Sequence, residues 1–347
     1  MEPVLVKNFT LPELEAWVES IGERRFRARQ LFRNIYARKV RSWGECTDLS
    51  KLFRVQLENG TRLDALRLME KREASDGTLK YLFGLQDGHT VESVLIPDAP
   101  RHTLCISSQV GCAFACKFCL TGTLGFKRNL HTAEIVDQVC QVQIDLGIGT
   151  RITNLVFMGM GEPLANYDAV IRAISVMTNP NGLAFSHRRI TLSTAGLVPG
   201  MARLGQDSPV NLAVSLHASD DALRSRIMPI NRKYPLESLM QACRRYPVAP
   251  RKRITFEYIL LDGINDSPEQ ARSLVKLIRG IRSKVNLIPF NPHPDSEYRR
   301  PPDERILAFQ EVLQKAQITA IIRQSRGREI GAACGQLAAG YGEDDED

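Results

Sequence analysis

From about residue 103 onward, short apolar runs rich in β-branched residues alternate with amphipathic stretches, and this alternation restricts the fold more than any other feature. The runs are TLCISS, NLVFMG, RITLST, NLAVSLH, ITFEYIL, VNLIPF and ITAIIR. Between them, residues 132–146, 167–178, 220–228, 236–246, 268–280 and 303–316 repeat their apolar positions at helical spacing. A parallel strand needs a crossover segment to bring the chain back to the same sheet, so the pattern predicts an α/β fold with parallel strands, a partial (β/α) barrel. One helix start is explicit, with Ser267 as N-cap, Pro268 at the first helical position and Gln270 as capping-box partner. In such barrels the working residues sit at the C-terminal ends of the strands, where loops vary on a rigid scaffold.

The residues before this region read differently. Over 11–58, Leu14, Trp17 and Val18 share one helical face, and Phe26, Leu31, Phe32, Ile35 and Tyr36 form a second stripe. They predict a helical N-terminal accessory domain over 1–60. KYLFGL and TVESVLIP, separated by the turn residues QDGH, predict a β-hairpin within a linker over 61–100, with Glu92 as an exposed strand residue beside Val91 and Val94. The barrel then occupies 101–340, and the acidic end 341–347 is predicted to be a disordered tail.

The chain has eight cysteines, a polar start (MEPVLVKNFT) and no apolar run approaching the roughly 18 residues of a membrane span. These features predict a cytoplasmic protein without a membrane partner, in which thiols serve metal binding or catalysis rather than a disulfide framework. Cys112, Cys116 and Cys119 stand at C-x3-C-x2-C spacing after TLCISS, whereas Cys46, Cys140 and Cys243 match no motif and read as structural. A closed metal site takes four protein ligands, so three cysteines leave one metal position open to an exogenous ligand. The same three also suit a zinc-stabilised RNA-binding protein, with a fourth ligand such as His131. Polar residues close successive strands: Gly159, Gly161 and Glu162 in GMGEPL, Ser193 after RITL, Ser215 and His217 in NLAVSLH, and Asn291 after VNLIPF. Glycines permit close backbone approach to a ligand, and Glu162 offers an acceptor to an ammonium group. Singly these are strand-end hydrogen-bonders; together they read as a ligand mouth.

The net charge is +7 although the last five residues are all acidic, an excess that suits either a polyanionic partner or a solvated positive face. Arginines 24, 25, 27, 29 and 33, with 323, 326 and 328, form clusters suited to phosphates. The aromatics among them, Phe26, Phe32 and Tyr36, are expected to pack against the barrel.

GCAFACKFCLTG, GMGEPL, SLHA, IPFNP and AACGQL, in this order, resemble the RlmN/Cfr family of radical S-adenosylmethionine (SAM) RNA methyltransferases, over nearly the whole chain apart from the acidic tail. The resemblance implies a [4Fe–4S] cluster on Cys112, Cys116 and Cys119, with SAM bound near Gly161, Glu162, Ser193, Ser215, Leu216, His217 and Asn291. It implies methylation of C2 of an adenosine in 23S rRNA and of the adenosine beside the anticodon in some tRNAs, using two SAM molecules in turn. Cys334 would first be methylated, and its thiomethylene radical would add to the ring. Glu92 would then take the ring proton, and Cys105 would displace Cys334 as a disulfide. Read without the family, Cys105 is equally a small core residue, whereas Cys334, after Gly331, Ala332 and Ala333, has an exposed and mobile setting. The same motifs suit Cfr-type methylation at C8. The resemblance further implies an N-terminal RNA-binding domain, an electron donor of flavodoxin or ferredoxin type and extrusion of the target base from its stack. A monomer is expected.

Overall fold

In the computed structural model, which describes residues 3–147, 149–293 and 296–339, the seven apolar runs become the parallel strands of a ten-stranded sheet. The acidic tail lies outside the described residues. The strands are β1 (Arg67–Glu73), β2 (Leu79–Gly84), β3 (Thr90–Asp98), β4 (Arg101–Cys105) and β5 (Asn154–Phe157). They continue as β6 (Ile190–Thr194), β7 (Asn211–Ser215), β8 (Ile254–Leu260), β9 (Ser283–Pro289) and β10 (Ala320–Ile322). Their spatial order is their chain order. β1 to β4 pair antiparallel, and β4 to β10 pair parallel.

Three helices form the N-terminal module, α1 (Leu11–Ser20), α2 (Phe26–Arg33) and α3 (Lys51–Gly60). The crossovers are α4 (Thr132–Asp145), α5 (Tyr167–Thr178), α6 (Val198–Asp207), α7 (Asp221–Ile227), α8 (Leu236–Arg245), α9 (Pro268–Leu277) and α10 (Asp303–Lys315). Strands covered on both faces read as continuous apolar runs, and all seven residues of β8 are buried. Each large apolar side chain removed from water here contributes about 1.5–3 kcal/mol. α6 is the helix the sequence does not announce, because Pro199, Gly200 and Gly205 lower its propensity. Gly200 lies against α5's approach loop, where a Cβ would stand 2.8 Å from that of Leu164, so packing requires what propensity disfavours.

β2 and β3 form the expected antiparallel pair, with Tyr81 opposite Ser93. They are not set apart, however, since β1 adds a third strand and β3 pairs with β4, so residues 67–98 continue the barrel sheet. This changes the environment of Glu92, which is 3% exposed rather than on the surface. Ser93 faces α4, donating to Gln138 Oε1 at 2.7 Å. Glu92, on the opposite face, is covered by the C-terminal segment, whose Ala338 N–H donates to its Oε2 at 2.8 Å. The N-terminal module is fastened to the barrel by buried Lys7, which pairs with Asp137 of α4 and, at 3.2 Å, with Asp64.

Candidate active site

The parallel strands curl around a cavity of about 410 Å³ lined by side chains of β4, β5, β6, β8 and β9, the cysteine loop and the C-terminal segment. Five thiols line it, those of Cys105, Cys112, Cys116, Cys119 and Cys334. The cysteine loop is closed by a two-stranded ribbon, Gln109–Gly111 with Phe126–Asn129, and by Cys112 N–H donating to Gly125 O at 3.0 Å. Ala115 adopts a left-handed conformation (φ 49°) that turns the loop between the first two cysteines. Lys117 N–H donates to Ile227 O at 2.9 Å, docking the loop on the end of α7.

Burial raises all three thiols, Cys112 to about 12 and Cys116 and Cys119 in the same direction, so each sulfur here needs a bound cation to exist as thiolate. Among the described residues, no three His, Cys, Asp or Glu side chains converge closely enough to hold a single metal ion. The three soft donors nonetheless line one cavity, a donor set that fits an iron–sulfur cluster with one iron left open. His131 is not a fourth ligand. It caps α4, 66% exposed, beside Glu134.

The ligand mouth assembles at the strand ends. Glu162, buried, accepts from Leu164 N–H at 3.1 Å and from Ala195 N–H at 2.7 Å, tying the turn after β5 to the turn after β6. Burial raises its carboxyl to about 7, opposed by these hydrogen bonds. Gly161 has φ +96°, and a Cβ there would stand 2.5 Å from that of Gln109, so this turn admits only glycine. His217 also sits in the left-handed region (φ 60°), accepts Ile259 N–H on Nδ1 at 3.0 Å and meets the edge of Phe118 at 4.7 Å. Burial, reinforced by Arg224, lowers it to about 3, leaving a neutral imidazole. Ser193 and Ser215 line the cavity, while Leu216 points its side chain into the core. Asn291 donates to Cys334 O at 3.2 Å, and its buried Oδ1 has no partner, an acceptor that a ligand would satisfy.

Cys334 is exposed to the cavity, but its segment is not loosely held as expected. Leu120 N–H donates to Gly335 O at 2.8 Å, Thr121 Oγ1 to Leu337 O at 2.7 Å and Thr90 Oγ1 to Ala339 O at 2.7 Å. Carbonyls of this glycine- and alanine-rich segment thus find partners on three other segments, an outcome that composition alone does not reveal. Cys105 is raised to about 12 by burial, opposed by the charge of Arg323, which also acts on Cys334. All eight cysteines are free, so Cys105 and Cys334 stand here as the two thiols from which the expected turnover disulfide would form. Glu92 stands outside the cavity lining, paired with Lys80 at 3.0 Å.

Four functional residues escape sequence reasoning or receive another role there. Arg224 on α7 is wholly buried, with hydrogen bonds to the carbonyls of Ala195, Ser215 and Leu216. Glu257 and Asn286 face the cavity, and so does Arg323, which was grouped with the RNA contacts. A charged residue inside the apolar run ITFEYIL was the available signal. Of the remaining arginines, Arg25 and Arg29 clasp Glu15 at 2.7 and 3.0 Å, and Arg27 lies over Phe26, whereas Arg24 and Arg33 are exposed. Phe32 and Tyr36 pack inside as expected, but Phe26 is 48% exposed.

Comparison with known proteins gives concordant matches. A model of the radical SAM superfamily matches residues 106–275, and one of the ribosomal RNA large subunit methyltransferase N-terminal domain matches residues 5–63. The dual-specificity RNA methyltransferase RlmN of Syntrophobacter fumaroxidans is 72% identical over 342 residues, 99% of this chain and 100% of that protein. The RlmN of Geobacter sulfurreducens is 55% identical over 332 residues, 96% of this chain and 91% of that protein. The crystal structure of a radical SAM methyltransferase from Sphaerobacter thermophilus superposes with a TM-score of 0.94 at 44% identity, covering 97% of this chain and 100% of that one.

Proposed function

The chain belongs to the RlmN family of dual-specificity RNA methyltransferases, and on that premise we propose how its own residues carry out the reaction. It is a radical SAM RNA methyltransferase, and the RlmN reaction methylates C2 of adenosine in 23S rRNA and tRNA, not C8 as in Cfr. In this reading Cys112, Cys116 and Cys119 hold a [4Fe–4S] cluster, while Gly161, Glu162, Ser193, Ser215, Leu216, His217 and Asn291 hold SAM. When bound, these groups would supply a methyl group and a carbon-centred radical.

Cys334 carries the one-carbon unit to the base. The hydrogen bonds that pin its segment limit the arc its sulfur sweeps, which is how a protein lowers the entropic barrier to bond formation. Glu92, behind the cavity lining and under the segment that carries Cys334, would accept the ring proton, its carboxylate oriented by Lys80 and by Ala338 N–H. Attack of the Cys105 thiolate on the Cys334 sulfur then forms the Cys105–Cys334 disulfide and breaks the sulfur–carbon bond. The carbon already on the base keeps the electron pair and takes a proton to become the methyl group, so that the two thiols are oxidised as the methylene is reduced; the guanidinium of Arg323 favours that thiolate. The observation that carries this assignment is that Cys105 of β4 and Cys334, far apart in sequence, line the same cavity as the cysteine triplet.

RNA would be held through the N-terminal module, residues 1–60, and by the exposed Arg24, Arg33 and Arg328. A flavodoxin- or ferredoxin-type protein would deliver electrons, and the chain would act as a cytoplasmic monomer where its RNA substrates reside. Among the described residues no helix is long and apolar enough to cross a membrane. With reconstituted protein and substrate RNA, Cys105→Ala is expected to accumulate a covalent protein–RNA adduct, visible as a shifted band, and Cys334→Ala to form none. No adduct from Cys105→Ala would contradict the assignment of both thiols.

A further inference from the structure

The interior of this barrel is more polar than packing requires. Barrel interiors are usually filled by layers of branched apolar side chains, yet Asn154, Thr191 and Thr255 line the cavity together with Glu257 and Asn286. The last two stand opposite each other on β8 and β9, 6% and 8% exposed. Asn286 Nδ2 donates to Glu257 Oε1 at 2.9 Å. Glu257 Oε2 and Asn286 Oδ1 receive no hydrogen bond from the described residues, and Glu257 forms no ion pair among them. A buried carboxyl whose one hydrogen-bond partner among the described residues is a neutral amide costs the fold a desolvation penalty that a leucine or valine would not incur, offset in part by the charges of Arg323 and Lys284 across the cavity. Burial accordingly holds Glu257 above the ordinary carboxyl range, with Arg323 opposing. The pair lines the same cavity as Cys334, close enough for the charge of Glu257 to act on that thiol.

We propose that Glu257 and Asn286 form the subsite that reads the hydrogen-bonding edge of the target adenine. The assignment rests on the RNA methyltransferase reading above. Two free acceptor oxygens suit the exocyclic amino group of adenine, whereas guanine would present a carbonyl oxygen to them and leave oxygen facing oxygen. Contacts to the edge lie in the plane of the ring, while bond formation at C2 comes over its face. The pair and Cys334 therefore act on the same base without competing for space.

SAM carries an adenine too, so the test must separate the two sources. Holoenzyme is given RNA hairpins whose target position holds either adenosine or purine ribonucleoside, which lacks the amino group, and both kcat/KM for methyl transfer and equilibrium RNA affinity are measured. The wild-type protein is expected to prefer adenosine by roughly 10- to 100-fold, the worth of a hydrogen bond to a charged group. In Glu257→Ala and in Asn286→Ala that preference should fall toward unity, and the second variant supplies the ratio should the first fail to assemble its cluster. A preference that survives in both variants overturns the proposal. A surviving preference with a raised KM for SAM assigns the pair to SAM's adenine and overturns it equally. A wild-type protein that methylates neither RNA would instead refute the underlying function.

Discussion

Arg224→Lys tests how the strand ends are held. The guanidinium is wholly buried and makes four hydrogen bonds: Nε to Leu216 O at 3.0 Å, Nη1 to Asn231 Oδ1 at 2.9 Å, and Nη2 to Ala195 O and Ser215 O, each at 2.9 Å. Burial lowers its pKa to about 10, so it remains charged at neutral pH. An ammonium keeps the charge but loses the planar fork, and from one nitrogen it reaches two of these acceptors at most. At least two carbonyl or amide oxygens are then buried without a donor, each costing about 1–3 kcal/mol. The sum is on the order of 3 kcal/mol, a large fraction of the stability of a typical domain. It should appear as a shift of the urea unfolding curve to lower denaturant with an unchanged slope. Because Ala195 and Ser215 line the cavity, the KM for SAM should rise in parallel. A loss below about 1 kcal/mol would refute the reasoning, because it would mean that water or backbone movement satisfies the freed acceptors.

Glu162 gives the clearest pH dependence. Its folded carboxyl, held at about 7, binds a proton more tightly than it does in the unfolded chain, where 4.5 is ordinary. Its contribution is therefore fully favourable below about pH 4.5 and is lost as pH rises through 7, a change of about 3 kcal/mol. Glu162→Gln should remove this slope, and the difference in unfolding free energy between wild type and variant, followed from pH 4.5 to 8 without SAM, should change by that amount; parallel profiles would contradict it. Lys80→Met leaves Glu92 buried with only the Ala338 N–H and should cost about 3 kcal/mol, whereas adding Glu92→Gln should restore most of it. Limited proteolysis of the C-terminal segment reports both variants, and equal sensitivity in the single and double variants would dismiss the pairing.

What the sequence made legible followed from burial on both faces. TLCISS, NLVFMG, ITFEYIL and VNLIPF announce parallel strands because each is mostly apolar and alternates with an amphipathic crossover, and β4, β5, β8 and β9 form there. Ser267, Pro268 and Gln270 mark the start of α9, since capping chemistry is local, and the Ser267 hydroxyl accepts Gln270 N–H at 3.3 Å. Glu92 was legible by resemblance but misread as exposed. A two-stranded hairpin would leave one face to solvent, and the cover on that face comes from residue 338, which no local pattern connects to residue 92. The same limit hid the role of Glu257. Strand periodicity places it on one face of β8, and only the pairing with β9 brings it opposite Asn286 and into a cavity with two distant thiols. Arg224 was invisible for a related reason, because α7 reads as an amphipathic surface helix while its arginine is drawn inward by three carbonyls from two strand ends.

The central claim is that this cavity places one carbon on C2 of an adenosine by way of Cys334. Nucleoside mass spectrometry of 23S rRNA and tRNA, treated with anaerobically reconstituted protein, SAM bearing a labelled methyl group and a one-electron reductant, tests it most directly. The expected product is labelled 2-methyladenosine in both RNAs, absent when Cys334→Ala replaces the wild-type protein. Labelled 8-methyladenosine, or 2-methyladenosine formed undiminished by Cys334→Ala, would contradict it.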